Sequence, residues 1–187
     1  VDVKISGTGT AGALAGYVYE GTVEYCYSSG AVSGTSGYTG GLIGYIRNAT
    51  VHDCYSVATV TNTNSNGNTG GLVGNMFSNN VCTIKDCYAA GTVTSASSYR
   101  SGGIVGSQGG GSNNVLGCYY NSSTTKQSDT GKGFSVTSAK MKSQNTFTAW
   151  DFDYVWEIDG STNSGYPYLQ LPITDTREDI ELEGSGN

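Results

Sequence analysis

Gly40-Gly41-Leu42-Ile43-Gly44 and, ten residues on, Cys54-Tyr55-Ser56-Val57-Ala58-Thr59-Val60 decide the fold, because both stretches return in phase. The glycine-framed block recurs as Gly12-Ala13-Leu14-Ala15-Gly16, Gly70-Gly71-Leu72-Val73-Gly74 and Gly102-Gly103-Ile104-Val105-Gly106. A Cys-Tyr pair follows every block: Cys26-Tyr27, Cys54-Tyr55, Cys87-Tyr88 and Cys118-Tyr119. Val32, Val60 and Val93 stand six residues after the first three cysteines. Val23, Val51, Ile84 and Val115 stand three before the four cysteines. Two interleaved motifs kept in step define a repeat. The cysteines are 28, 33 and 31 residues apart, and the extra residues fall within 62–69 and 75–83. Length changes confined to such stretches mark loops between fixed rungs.

One unit cannot fold alone. Its five or so apolar side chains contribute about 1.5–3 kcal/mol each when buried, on the order of 10 kcal/mol in all. Fixing its backbone costs about 1–2 kcal/mol per residue, several times that sum. Neighbouring units must supply the difference through ladder hydrogen bonds and stacked side chains, which is the logic of a solenoid. The runs around each Cys-Tyr pair alternate as strands do. Cys54, Ser56, Ala58 and Val60 form a small, apolar face suited to the inside of a narrow coil, with Tyr55, Val57 and Thr59 outside. The opposite phase, which buries the tyrosine, stays open at this point. Paired glycines suit corners that need φ > 0 or close approach between coils. The expected fold is all-β: a parallel β-solenoid (β-helix) of about four coils with a C-terminal aromatic cap.

Composition agrees. Gly is abundant (29) and Pro rare (2), which excludes collagen, and only 13% of residues are charged while Tyr reaches 14, which argues against disorder. Of the formal net charge of −6, the segment after Pro172 holds −4: Asp175, Glu178, Asp179, Glu181 and Glu183 against Arg177. The body is nearly neutral. With no basic patch to neutralise phosphates, no nucleic acid is expected as a partner, and no anionic membrane surface. There is no 18-residue apolar run, so no membrane insertion of this segment is expected. The chain opens at Val1 without Met and reads as an excised piece.

The string Gly-Gly-Leu-Ile/Val-Gly followed by Cys-Tyr-Ser-x-x-x-Val resembles the GLUG motif, over about residues 5–120. That family occurs as tandem repeats in bacterial adhesins and in some immunoglobulin-A-cleaving peptidases, and it supplies no catalytic residues to carry over. The resemblance implies an extracellular or bacterial cell-surface location. The first copy departs, with Ala13 and Ala15 in place of Gly and Val, as a terminal capping unit would.

The repeat stops near Tyr120, which divides the chain into repeats (1–120), a loop and C-terminal cap (121–171), and an acidic linker or tail (172–187). Residues 121–133 read as a polar loop, and 138–143 as a short helix with Ser138 as N-cap. Both tryptophans lie in the densest aromatic stretch, which includes Trp150-Asp151-Phe152, Val155-Trp156 and Gly165-Tyr166-Pro167-Tyr168-Leu169. The last rung of a solenoid exposes apolar side chains and a strand edge, and residues 134–171 are expected to close it. The resemblance implies the same, since similar endings close such arrays.

No catalytic, cofactor or metal site is expected, and no cofactor. His52, the one histidine, neighbours Cys54 on one strand, where a nucleophile pair cannot readily converge. The repeat cysteines fall in a line and cannot enclose tetrahedral zinc. A buried ladder of free thiols is the leading reading, with disulfides as the alternative. Gly7-Thr8-Gly9-Thr10-Ala11-Gly12 matches a dinucleotide-binding string but runs into the first repeat block rather than a helix. Leu171-Pro172-Ile173-Thr174-Asp175 resembles a sortase signal with Asp in place of Gly. Asp151, Asp153, Glu157 and Asp159 interleave with aromatics and read as turn acids. The chain is therefore expected to be non-enzymatic, serving in adhesion or as a rigid spacer, with a host or matrix glycan or protein and neighbouring domains of a larger chain as partners. One alternative is a carbohydrate-binding module in which Tyr27, Tyr55, Tyr88 and Tyr119 form an exposed aromatic ladder. Another is an accessory region of a secreted peptidase or glycosidase.

Overall fold

The backbone winds into a column of parallel strands in which each motif pairs with its next copy. The computed structural model describes residues 2–97, 99–128 and 132–170, so the acidic tail and the sortase-like string lie outside the described residues. The cores of the coils span residues 15–40, 43–70, 73–102 and 105–121. One wall carries the strands that follow the glycine blocks: Ala15–Tyr19 pairs with Ile43–Arg47, which pairs with Val73–Lys85, which pairs with Val105–Leu116, all parallel. The Cys-Tyr positions build a second wall, with Tyr27 opposite Tyr55, Tyr55 opposite Tyr88, and Tyr88 opposite Tyr119. A third stacks Val32 on Val60 and Val60 on Val93. The glycine blocks form a short fourth, Gly40 on Gly70 on Gly102.

This register settles the phase of the strands. Cys54, Ser56, Ala58 and Val60 point inward and are buried, and Thr59 is exposed. The interior is a set of columns, each filled by one motif position. Leu42, Leu72 and Ile104 make one, and Cys54, Cys87 and Cys118 another. All five thiols are free.

The glycines of the repeated blocks serve close approach, not the left-handed region. A Cβ on Gly40 would stand 2.0 Å from the Ile43 carbonyl oxygen and 2.8 Å from that of Leu72, so any side chain there would push two rungs apart. The left-handed corners fall one residue before each cysteine instead. Tyr25 (φ 53°), Asp53 (φ 49°), Asp86 (φ 49°) and Gly117 (φ 57°) occupy them. Asp tolerates that conformation better than most residues because its short side chain bonds locally.

Beyond the fourth coil, Phe134–Val136 adds one more parallel strand to the tyrosine wall, opposite Tyr119–Asn121. The Lys132 ammonium donates to the carbonyls of Ser101 (3.1 Å) and Gly106 (2.9 Å), which draws this segment across the end of the column. The stretch expected to be loop starts with a helical turn, Ser122–Thr125, capped by the Asn121 side chain. The second helix, Ser138–Met141, takes Thr137 rather than Ser138 as N-cap.

Candidate functional site

The tyrosine column is the most ordered aromatic feature of the molecule. Tyr27 and Tyr55 stack with centroids 5.0 Å apart and planes at 9°, and Tyr55 and Tyr88 at 4.9 Å and 3°. The spacing follows from the distance between strands. These rings turn their faces to one another along the axis, so a sugar could not lie flat on the inner ones.

The C-terminal segment then covers most of the column. Trp156, itself fully buried, sits 6.1 Å from both Tyr55 and Tyr88, and Trp150 sits 5.9 Å from Tyr119. The indole nitrogens lock onto the left-handed corners. Trp156 Nε1 donates to Asp53 Oδ1 at 3.0 Å, and Trp150 Nε1 to the Gly117 carbonyl at 2.8 Å. The Tyr88 hydroxyl donates to the Pro167 carbonyl (2.7 Å) and accepts from Asn163 Nδ2 (2.6 Å). Burial, followed by the neighbouring Tyr55, pushes the Tyr88 hydroxyl well above its ordinary pKa.

This overturns the exposed-ladder expectation. Of Tyr27, Tyr55, Tyr88 and Tyr119, the last three are buried, and only Tyr27 remains open, at 41% exposure. The physical reason is that the aromatic segment, anticipated over the end of the column, lies along its side as well. A cleft of about 360 Å³ survives where that cover stops, lined by Tyr27, Ser29, Val57, Thr162, Asn163 and Tyr168, among others.

A different aromatic face lies on the wall of strands that follow the glycine blocks. Tyr17 stacks on Tyr45 at 4.6 Å, and Tyr38 approaches Tyr45 at 5.1 Å. Beside them, the Arg47 guanidinium lies between two rings, 5.3 Å from Tyr19 and 5.6 Å from Phe77. Tyr17 and Tyr19 are about half exposed. Among the described residues no carboxylate lies within ion-pair distance of Arg47. Sequence reasoning passed over this face because its residues do not repeat: Tyr17 and Tyr45 are followed in register by Asn75 and Ser107. The signal was the alternation Tyr17-x-Tyr19 and Tyr45-x-Arg47, which puts both members of each pair on one side of a strand.

His52 bonds to carboxylates on two rungs. Its Nε2 lies 3.1 Å from Glu24 and its Nδ1 2.8 Å from Asp53. The Cys54 thiol points inward and donates to the His52 carbonyl at 3.1 Å, so ring and thiol do not form a pair. Deeper in the column, burial first and the contacts with Cys118 and Cys54 next push the Cys87 thiol well above its ordinary value.

Taken together, these walls define a parallel β-solenoid repeat protein with a lateral aromatic cover. More narrowly, the chain carries the GLUG motif, whose family model matches residues 35–61 and 65–94. A protein of Evansella cellulosilytica named Gly-rich membrane protein is 35% identical over 128 residues, which span 66% of this chain and 14% of that protein. A crystal structure from Bacteroides ovatus, named an immunoglobulin A1 protease, superposes with a TM-score of 0.58 and 23% identity. It covers 80% of this chain and 57% of that one, a likeness of fold. The chain thus carries a repeat of known type and fold and spans only a small part of the length of the curated relative it matches. Among the described residues no helix is long and apolar enough to cross a membrane.

Proposed function

We propose that this chain is a non-catalytic module of a bacterial cell-surface or secreted protein, acting as a rigid spacer that serves adhesion. The observation that carries the reading is the parallel register of the walls, kept from rung to rung and shifted by a bulge between Ser78 and Val81 against the last coil. Val51 and Ile84 stack, Val60 and Val93 stack, and Tyr55 and Tyr88 stack, with buried side chains filling the interior throughout. A column tied at every wall has no hinge, and a nearest-neighbour stack transmits load along its axis. The test is hydrolysis of polysaccharide and peptide panels, with background rates expected. Turnover abolished by Asp151→Asn or Asp153→Asn overturns the non-catalytic part.

A second reading, saccharide contact, is favoured by the face of Tyr17, Tyr19, Tyr45 and Arg47. Aromatic surface beside an arginine free of carboxylates suits a sugar that bears an acid group. Glycan-array binding should favour uronic- or sialic-acid ligands. It should fall by about tenfold or more in Arg47→Ala, the loss of roughly one charge-assisted hydrogen bond. Equal binding by wild type and Arg47→Ala removes this face from consideration.

A further inference from the structure

The third wall of the column breaks off inside the repeat array. Val32 lies opposite Val60, and Val60 opposite Val93. Counted from the cysteine, the fourth coil would next supply Thr124, Thr125 and Lys126 as strand. Thr124 and Thr125 fold instead into the helical turn Ser122–Thr125, and Lys126 ends it in the left-handed conformation (φ 59°). Among the described residues, Val93–Ser95 therefore pairs on one side only.

Side chains, not a strand, reach its open side. Thr124 Oγ1 donates to the Ala90 carbonyl at 2.6 Å, and Gln127 Nε2 to that of Val93 at 3.4 Å. The ladder gives the direction of the rest. The Val60 amide donates to the Thr92 carbonyl and the Ala96 amide to that of Asn62, so Thr92 and Ala96 aim at the paired strand. Backbone groups alternate along a strand, so those of Val93 and Ser95 aim the other way. There a cleft of about 530 Å³ opens, lined by Val93, Ser95, Ser97, Ser101, Lys126 and Ser128, among others.

Two side chains of this cleft lack a counterpart. Ser97 is 3% exposed, yet its hydroxyl oxygen has no hydrogen-bond partner, a costly state for a buried polar group. Lys126 is exposed, and among the described residues no carboxylate lies within ion-pair distance of it. None of the residues that line the cleft is aromatic or acidic. A sugar ring thus finds no flat surface to stack on. A strand edge with a hydroxyl and a cation beside it suits a main chain and a carboxylate.

We propose that this cleft binds a short extended peptide bearing an acidic residue. The peptide's main chain pairs with Val93 and Ser95, its carboxylate accepts from the Ser97 hydroxyl, and Lys126 balances the charge. Strand addition of this kind takes its affinity from main-chain bonds and its selectivity from the side chains beside them. The cleft lies on a different wall from Tyr17 and Arg47, and the site stands apart from the spacer reading.

The test selects random hexapeptides displayed on phage against the full chain and measures the best of them as a blocked synthetic peptide. The selected sequences should share an Asp or Glu. N-methylation of one alternate set of peptide amides should weaken binding by about tenfold or more, with little effect from the other set. Amide exchange at Val93–Ser95 should slow when the peptide binds. Lys126→Gln and Ser97→Ala should each weaken binding by about threefold or more, at a melting temperature no lower than that of the original chain. Selection of no peptide overturns the proposal. Binding indifferent to N-methylation of either set overturns it as well, since charge alone would then hold the peptide. So does protection that appears elsewhere but not at Val93–Ser95.

Discussion

At the scale of single residues, Trp156 joins the cover to the column. It is fully buried, touches Tyr55 and Tyr88, and donates to Asp53. Trp156→Ala should destabilise by about 3–5 kcal/mol, because the ring leaves a cavity that the rigid wall cannot collapse into. Trp156→Phe keeps most of the packing but strands the Asp53 oxygen, for roughly 1–3 kcal/mol. Urea midpoints at unchanged slope measure both, and a shift below about 1 kcal/mol for the alanine variant would mean the ring is not anchored. Asp159 and Tyr168 make a second, exposed lock. The amide of Thr162 first, then the Tyr168 hydroxyl and Ser161, hold the Asp159 carboxyl well below its ordinary range. Its stabilising effect is present above the ordinary carboxylate value and is lost only as pH falls through the depressed one. The Tyr168 hydroxyl is pushed up to about 12, by burial first and by its bond to Asp159 next. Its effect is complete below the ordinary tyrosine value and disappears as pH rises through about 12. The segment around residues 159–168 should therefore stay locked from mild acid to about pH 10. The Tyr168 ring resonances should report this, and a transition near neutrality would contradict it.

Among the elements, what could be read in advance depended on whether a residue's partner was its own repeat. Cys54 and Val60 meet their own kind on the next rung, and Ser56 meets the equally small Ala89, so their inward phase follows from the motif. Tyr55 also meets its own kind, yet its second neighbour is Trp156, 101 positions along the chain, and no period announces that contact. The tyrosines consequently looked exposed when three of the four are not. The same logic applies to Asp53, which was legible as a neighbour of His52 but not as an acceptor for an indole. The glycine pairs suit either φ > 0 corners or close approach, because both call for glycine and the sequence does not tell them apart. The thiol column offers a direct check on the interior. Cys54, Cys82, Cys87 and Cys118 are buried and Cys26 is only partly so. A thiol reagent without reductant should modify at most Cys26 in the native protein, and all five in denaturant. Fewer than five in denaturant would establish a disulfide and exclude the free-thiol ladder.

For the molecule as a whole, the question is whether residues 137–170 merely decorate a column that is stable without them. The geometry argues against this. The end of the column is already served by Lys132 and by the strand Phe134–Val136, so the later residues are not needed to close the last coil. They meet Tyr55, Tyr88 and Tyr119 along the side, with Phe147, Trp150, Trp156 and Leu169 in one cluster. Large aromatic rings bury about 150–250 Å² each, and without this cover the wall would show a continuous apolar stripe. A stripe on a regular stack invites lateral association, since every rung presents the same contact. A chain ending at Val136 keeps the closing strand and loses the cover, which separates the two roles. It should melt lower than the full chain and associate with rising concentration, as sedimentation would show. A chain ending at Tyr120 loses both and should be worse still. If the chain ending at Val136 stays monomeric and melts with the full chain, the aromatic segment does not stabilise the column, and the tyrosine wall tolerates water.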